Sequence, residues 1–136
     1  MTITVLGTPA PQGSKRHVGR GIMVESCKAL PPWREAIVWA VREARNRENF
    51  NGWFECPVFV CIDFYLPRPK STPKRILRPF RKPDVDKLVR SVFDSLTIAG
   101  VIDDDARVVN LHAEKHFCGP GKVLDVPGAI ITVEAL

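Results

Sequence analysis

No two of the four cysteines (Cys27, Cys56, Cys61 and Cys118) are spaced C-x-x-C, and His17, His112 and His116 complete no zinc pattern with them. That excludes a zinc framework legible in the sequence and leaves free thiols, as expected in a reducing cytosol. No run of about 18 apolar residues is present to span a bilayer, and no charged-then-apolar leader opens the chain. A cytoplasmic protein without a membrane partner is therefore expected. Gly119 to Lys122 lacks the spacing of a phosphate loop, and no small-molecule cofactor motif is seen. There is no internal repeat, and a chain of 136 residues suits one domain over 1–136 rather than two separate cores.

What the chain does have is an uneven distribution of charge. Hydrophobic residues make up 45% and charged residues 26%, the balance of a folded globular protein. Lys and Arg number 20 against 15 acidic residues, a net charge of +5, which favours polyanionic partners only weakly. Position says more than the sum. Seven cations (Arg68, Lys70, Lys74, Arg75, Arg78, Arg81 and Lys82) lie within 68–82 with no acid among them. Pro69, Pro73 and Pro79 bar regular helix there, so a loop or partly disordered arm that tracks phosphates is expected. A second basic stretch, Lys15, Arg16, His17 and Arg20, sits in the Pro- and Gly-rich segment 9–21.

Hydrophobic periodicity places the elements. Thr2 to Leu6 reads as a strand, and Ile22 to Val24 as a short returning one. Trp33, Ile37, Ala40, Val41 and Ala44 recur on one helical face, with Arg34, Glu35, Arg42, Glu43 and Arg45 opposite. Trp33 and Trp39 are read as packing residues. Val58 to Leu66 alternates as a strand, with Asp63 on its mixed, solvent-facing side. Val85, Leu88, Val89, Val92, Phe93 and Leu96 form the best helical stripe, with Asp84 as N-cap and Gly100 as terminator. Arg107 to Phe117 and Ala129 to Ala135 follow as strands. The fold class expected is α+β in two layers, two main helices on one face of a mixed sheet of about four or five strands.

The chemistry points to the acids around the second helix. Asp84 and Asp86 flank one residue at its start, and Asp105 follows its end. Clustered carboxylates can hold Mg²⁺, which neutralises a phosphate and activates water. Read alone, Asp84 is equally a helix cap and Asp103 to Asp105 a solvated turn. Geometry sets a condition. A helix advances about 20 Å from Asp86 to Ala99, and six extended residues retrace at most about 20 Å. A site within one chain, the favoured version, needs the chain to reverse at Gly100 and run back along the helix. Otherwise Asp105 meets Asp84 and Asp86 of a partner subunit. Arg90 and Asp94 follow Asp86 at one-turn intervals, either as an ion-pair ladder or with Arg90 on the scissile phosphate. His112 and His116 share a strand face, but a metal reading is set aside for want of carboxylate partners at suitable spacing.

The run Lys82-Pro83-Asp84-Val85-Asp86-Lys87-Leu88, then Phe93-Asp94-Ser95-Leu96, Ala99-Gly100 and Asp104-Asp105-Ala106-Arg107-Val108, resembles the signature of the RusA family of Holliday junction resolvases. The match covers about 25 residues in register, with weaker similarity at Gly7, Pro9, Lys15, Arg16 and Lys115. The resemblance implies a dimeric endonuclease that cuts four-way DNA junctions by paired nicks in recombination and repair. It implies Mg²⁺, with Mn²⁺ able to substitute, held by Asp84, Asp86 and Asp105. The expected setting is a bacterial cytoplasm, whether the gene is chromosomal, prophage or phage. Two departures stand out: Lys87 replaces the usual Asn, and Arg90 replaces a functionally important Lys, keeping the charge in a different shape. Arg90 is assigned to phosphate neutralisation, and Lys15, Arg16, Lys74, Arg75, Arg81, Lys82, Lys87 and Lys115 to DNA contacts. The alternatives are a catalytically inactive, structure-selective DNA-binding protein of the same fold, a restriction-type nuclease, and an RNA-binding module. The restriction type needs a (D/E)-x-K pair, which Glu114-Lys115 does not supply. An RNA-binding module would have no use for the acids.

Overall fold

The computed structural model describes residues 1–13 and 28–136, and the backbone alone of 15–17 and 23–25. In chain order the elements are β1 (Thr2–Leu6), β2 (Lys15–His17), β3 (Met23–Glu25), α1 (Leu30–Arg47), β4 (Val58–Leu66), α2 (Val85–Ile98), β5 (Val108–Phe117) and β6 (Gly128–Ala135). A mixed four-stranded sheet has the order β1-β6-β4-β5, and β2 and β3 form a separate two-stranded antiparallel hairpin. β5 runs parallel to β4, as the intervening helix α2 requires, while β6 is antiparallel to both β4 and β1. The expected α+β architecture is thus observed, with four strands in the main sheet. No helix among the described residues is long and apolar enough to cross a membrane.

The alternation in β4 explains the layering. Val58, Val60, Ile62 and Phe64 are fully buried and meet the apolar stripes of α1 and α2 in one continuous core. Phe59, Cys61 and Asp63 point the other way and are only half-buried. No helix of the described chain covers that second face, and its polar composition suits water. Gly128 begins β6 because a Cβ there would collide with the carbonyl oxygen of Val5 on β1.

Two polar devices hold α1 against α2. Trp33, 2% exposed, donates Nε1–H to Ser91 Oγ at 3.3 Å, and that hydroxyl donates to Leu88 O at 2.7 Å. The other aromatic read as packing, Trp39, is instead 65% exposed, because it lies beyond the edge of the apolar stripe. Arg45, assigned from sequence to the solvent face, donates Nη1 to Ala99 O (2.9 Å) and Gly100 O (3.0 Å), and Nη2 to Gly52 O (2.7 Å). It caps the C-terminal carbonyls of α2 from another helix, the end where cations are favoured. Arg45→Ala is expected to cost about 1–3 kcal/mol of stability, read as a lower urea midpoint at unchanged m-value.

Candidate functional site

Asp84 is the N-cap of α2 with extended backbone, and its side chain makes no capping bond. The carboxylate instead projects outward, 50% exposed, 3.8 Å from Lys87 Nζ. Asp86 is exposed in the first turn. Neither acid is tied down by an Arg among the described residues; Asp84 has only the long contact to Lys87 on one oxygen, so both carboxylates remain accessible to an outside cation. The segment before them is held from the sheet: Lys115, on the helix side of β5, donates Nζ–H to Arg81 O (2.8 Å) and Pro83 O (2.9 Å). With two donors on main chain, Lys115 is a positioning residue for Asp84 more than the free phosphate contact expected.

The basic arm is organised by its own first cation. Arg68 donates Nη1 to Ile76 O and Nη2 to Pro73 O, both at 2.8 Å, and its guanidinium lies 4.8 Å from the Phe117 ring centroid. Arg68 thus replaces secondary structure as the arm's internal tie, and the arm has a defined path. Lys74, Arg75, Arg81 and Lys82 are exposed along it.

From the other side, the chain leading into β2 crosses the polar face of α2. Gln12 N–H donates to Lys87 O at 3.0 Å, and Gln12 Nε2 bonds the Asp94 carboxylate. A Cβ at Gly13 would stand 3.2 Å from Arg90 Nη1. Asp94 therefore pairs with Gln12, and among the described residues no Arg90–Asp94 ladder forms. Lys15 and Arg16 lie in β2, immediately beyond; their side chains fall outside the described residues. The start of α2 is thus flanked by the arm on one side and the approach to the basic hairpin on the other.

Asp105 is elsewhere. Gly100, at φ +78°, reverses the chain as expected, with Val101 N–H donating to Leu96 O at 3.0 Å. Val101 and Ile102 then turn into the core, fully buried, and Ile102 bridges Phe54. Burying those two side chains draws the chain away from the path back along α2. Asp105 comes to rest at the last turn, accepting from Thr97 Oγ1 at 3.0 Å. Eleven helical residues separate Thr97 from Asp86, about 16 Å. The single-chain cluster favoured from sequence is therefore not formed.

The three consecutive aspartates also differ in employment. Asp103 receives Arg107 Nε and Nη2 on its two oxygens at 2.8 and 2.9 Å, and that guanidinium holds its carboxyl below the usual range. Asp104 Oδ1 accepts from Ala106 N–H at 2.7 Å, capping a 3₁₀ turn over Asp105–Arg107. Asp105, with Asp104 beside it, faces a shallow depression that Arg34, Asp94, Thr97 and Ile98 also line.

Sequence reasoning missed a second group. On the helix-free face, Asp63 of β4 stands opposite Glu114 of β5. His116 Nε2 lies 2.9 Å from Asp63 Oδ1 and 3.3 Å from Glu114 Oε2. The carboxylate partners that His112 and His116 lacked in the sequence arrive from the neighbouring strand and from between them. The signal was the His-x-Glu-x-His alternation; the missing link was the pairing with β4. This face is electronegative: burial first, then Asp63 and Glu114, push the Cys61 thiol and the Tyr65 hydroxyl up from their ordinary values.

Residues 7–134 match the protein-family model described as Endodeoxyribonuclease RusA. The chain is also 30% identical over 127 residues to the uncharacterized protein YqaN of Bacillus subtilis (strain 168), covering 84% of this chain and 85% of that one. The family match takes in β2 to β5, nearly all of β6, both helices and every acid described above, while β1 precedes it. This chain belongs to the RusA family of endodeoxyribonucleases.

Proposed function

We propose that the protein is a divalent-metal-dependent endonuclease that resolves four-way DNA junctions by paired symmetric nicks, acting as a homodimer in recombination and repair. The observation that carries this reading is the open Asp84–Asp86 pair set between the basic arm and the chain entering the basic hairpin. Two exposed carboxylates suit Mg²⁺, which takes one or two protein carboxylates and completes its shell with water and phosphate oxygens; Mn²⁺ would serve similarly. When bound, the ion supplies charge neutralisation at the phosphate and a water acidified for in-line attack.

The remaining work falls to side chains of this protein. Lys115 keeps Asp84 in place through Arg81 O and Pro83 O. Arg90, one turn beyond Asp86, offers a fixed positive charge to the developing negative charge. Lys74, Arg75, Arg81, Lys82 and Lys87, with Lys15 and Arg16 of β2, hold the DNA backbone without reading sequence. Asp105 of the partner subunit completes the acidic set. A two-fold pairing with antiparallel α2 helices would bring one chain's helix start to the other's helix end. The exposed apolar residues at those ends, Val85 (39%) and Ile98 (54%), support that arrangement.

Synthetic four-way junctions, linear duplexes and RNA hairpins, each with and without Mg²⁺ and with wild type and Asp84→Asn, test the reading. Symmetric nicking of junctions alone, lost in the variant, is expected. Cutting all duplexes equally would overturn junction specificity, and tight binding without cleavage in Mg²⁺ or Mn²⁺ would favour a catalytically inactive binding protein. Junction affinity should fall linearly on a log–log plot against salt. Lys115→Met is expected to lower cleavage about tenfold or more while leaving that salt slope unchanged. A slope reduced by about one would instead make Lys115 a phosphate contact.

A further inference from the structure

The helix-free face of the sheet carries a group of side chains that the α2 carboxylates do not involve. Asp63, on β4, and Glu114, on β5, are direct cross-strand neighbours, and like charges in that relation destabilise a sheet unless a cation joins them. Among the described residues no Lys or Arg ion-pairs with either; their near partners are imidazoles. Lys115, between Glu114 and His116 in sequence, points to the opposite face and bonds Arg81 O and Pro83 O.

We propose that Asp63, Glu114 and His116 form a binding site for a divalent transition-metal cation of the Zn²⁺ class. One carboxylate oxygen from each acid and one imidazole nitrogen all lie within 4.8 Å of one another. Two ligands bonded at about 2.1 Å to one tetrahedral ion stand about 3.4 Å apart. The observed separations from His116 Nε2, 2.9 Å to Asp63 Oδ1 and 3.3 Å to Glu114 Oε2, meet that spacing without movement of the backbone. Tyr65 stacks on the His116 ring, centroids 5.1 Å apart and planes 24° apart, which holds the imidazole in orientation as outer-shell partners of metal ligands do. His112 Nε2, 3.2 Å from Glu114 Oε1, holds the Glu114 carboxylate from its other oxygen, leaving the fourth position of the ion to water. A mixed nitrogen and carboxylate set selects against Mg²⁺, which prefers oxygen throughout. The ion would clamp the edge strand β5 to β4, on the reverse side of the strand that positions Asp84 through Lys115. The site stands or falls independently of the nuclease reading.

Metal-free protein titrated with Zn²⁺, by calorimetry and by thermal unfolding, tests this. One ion per chain is expected, with a rise in Tm of about 5–10 °C at a hundredfold excess over Kd, retained in excess Mg²⁺. His116→Gln and Asp63→Asn should each weaken binding at least about tenfold, while Asp84→Asn and Cys61→Ser leave it intact. Co²⁺ substituted for Zn²⁺ should show d–d bands without a thiolate charge-transfer band. Should either variant fail to fold, as judged by the far-UV CD of the metal-free protein, Glu114→Gln takes its place. Zn²⁺ binding unchanged in the folded face variants, lost in Asp84→Asn, or displaced by Mg²⁺ overturns the proposal. So does a thiolate band.

Discussion

Mixing chains carrying Asp84→Asn with chains carrying Asp105→Asn is expected to restore nicking of a four-way junction that neither variant cuts alone. Each substitution by itself should lower cleavage about a hundredfold to a thousandfold, or about 3–4 kcal/mol of transition-state stabilisation. Recovery follows from the placement of the two acids. Asp84 begins α2, and Asp105 is bonded to Thr97 at its far end. If the acidic set is completed across a two-fold axis, a mixed dimer has one site with both defects and one with none. Statistical exchange then yields about a quarter of wild-type nicking, on one strand at a time rather than as paired cuts. If one chain held all three acids, every site in the mixture would carry a defect and nothing would return. Absence of recovery, with subunit exchange verified by mass spectrometry, would therefore exclude the shared site while leaving the need for each aspartate intact.

The largest loss of stability is expected at Trp33→Ala, about 3–5 kcal/mol and about 10–20 °C in Tm. Trp33 joins three parts of the molecule. Its ring lies in the core where α1 meets α2, its Nε1–H reaches Ser91 Oγ, and Gly7 packs on its face, where a Cβ would stand 3.6 Å from Cε3. Removing it leaves a large cavity and deprives the buried Ser91 hydroxyl of its donor. Trp33→Phe separates the two contributions: it keeps most of the volume and loses the hydrogen bond, and should cost about 1–2 kcal/mol. Equal losses in both variants, measured by urea denaturation, would show that the hydrogen bond and not the volume dominates. The position also bears on function, since Gly7 opens the segment that carries Gln12 and Gly13 to α2.

Local pattern was a good guide wherever one face of an element settles its fate. β1 and β4 occupy the residues their alternation marked, α2 begins after Asp84, and Gly100 ends it with positive φ. These outcomes depend on periods of 2.0 and 3.6 and on steric limits at glycine, all written in adjacent residues. The RusA signature likewise lies in one contiguous run, which is why the family was legible before any fold. Arg45 and Arg68 were misread for the opposite reason. A cation looks solvated in sequence; Arg45 instead meets the carbonyls at another helix's end and Arg68 those of its own arm, and both depend on how the backbone folds around them.

The three aspartates show where that boundary falls. Sequence by itself determined which acids and cations the protein carries, that α2 lies between Asp84 and Asp105, and that the chain reverses at Gly100. It even stated the alternative to a single-chain site. Only tertiary structure placed Asp105 at the far end of α2, because the burial of Val101 and Ile102 in the core outweighs any local preference for a path back along the helix. The same holds on the other face of the sheet. Glu114 lies between His112 and His116 in the chain, but only the parallel pairing of β4 with β5 set Asp63 beside it and grouped the two with His116. Cross-strand neighbours come from residues about fifty positions apart in the chain, and only the register of the sheet makes them a group.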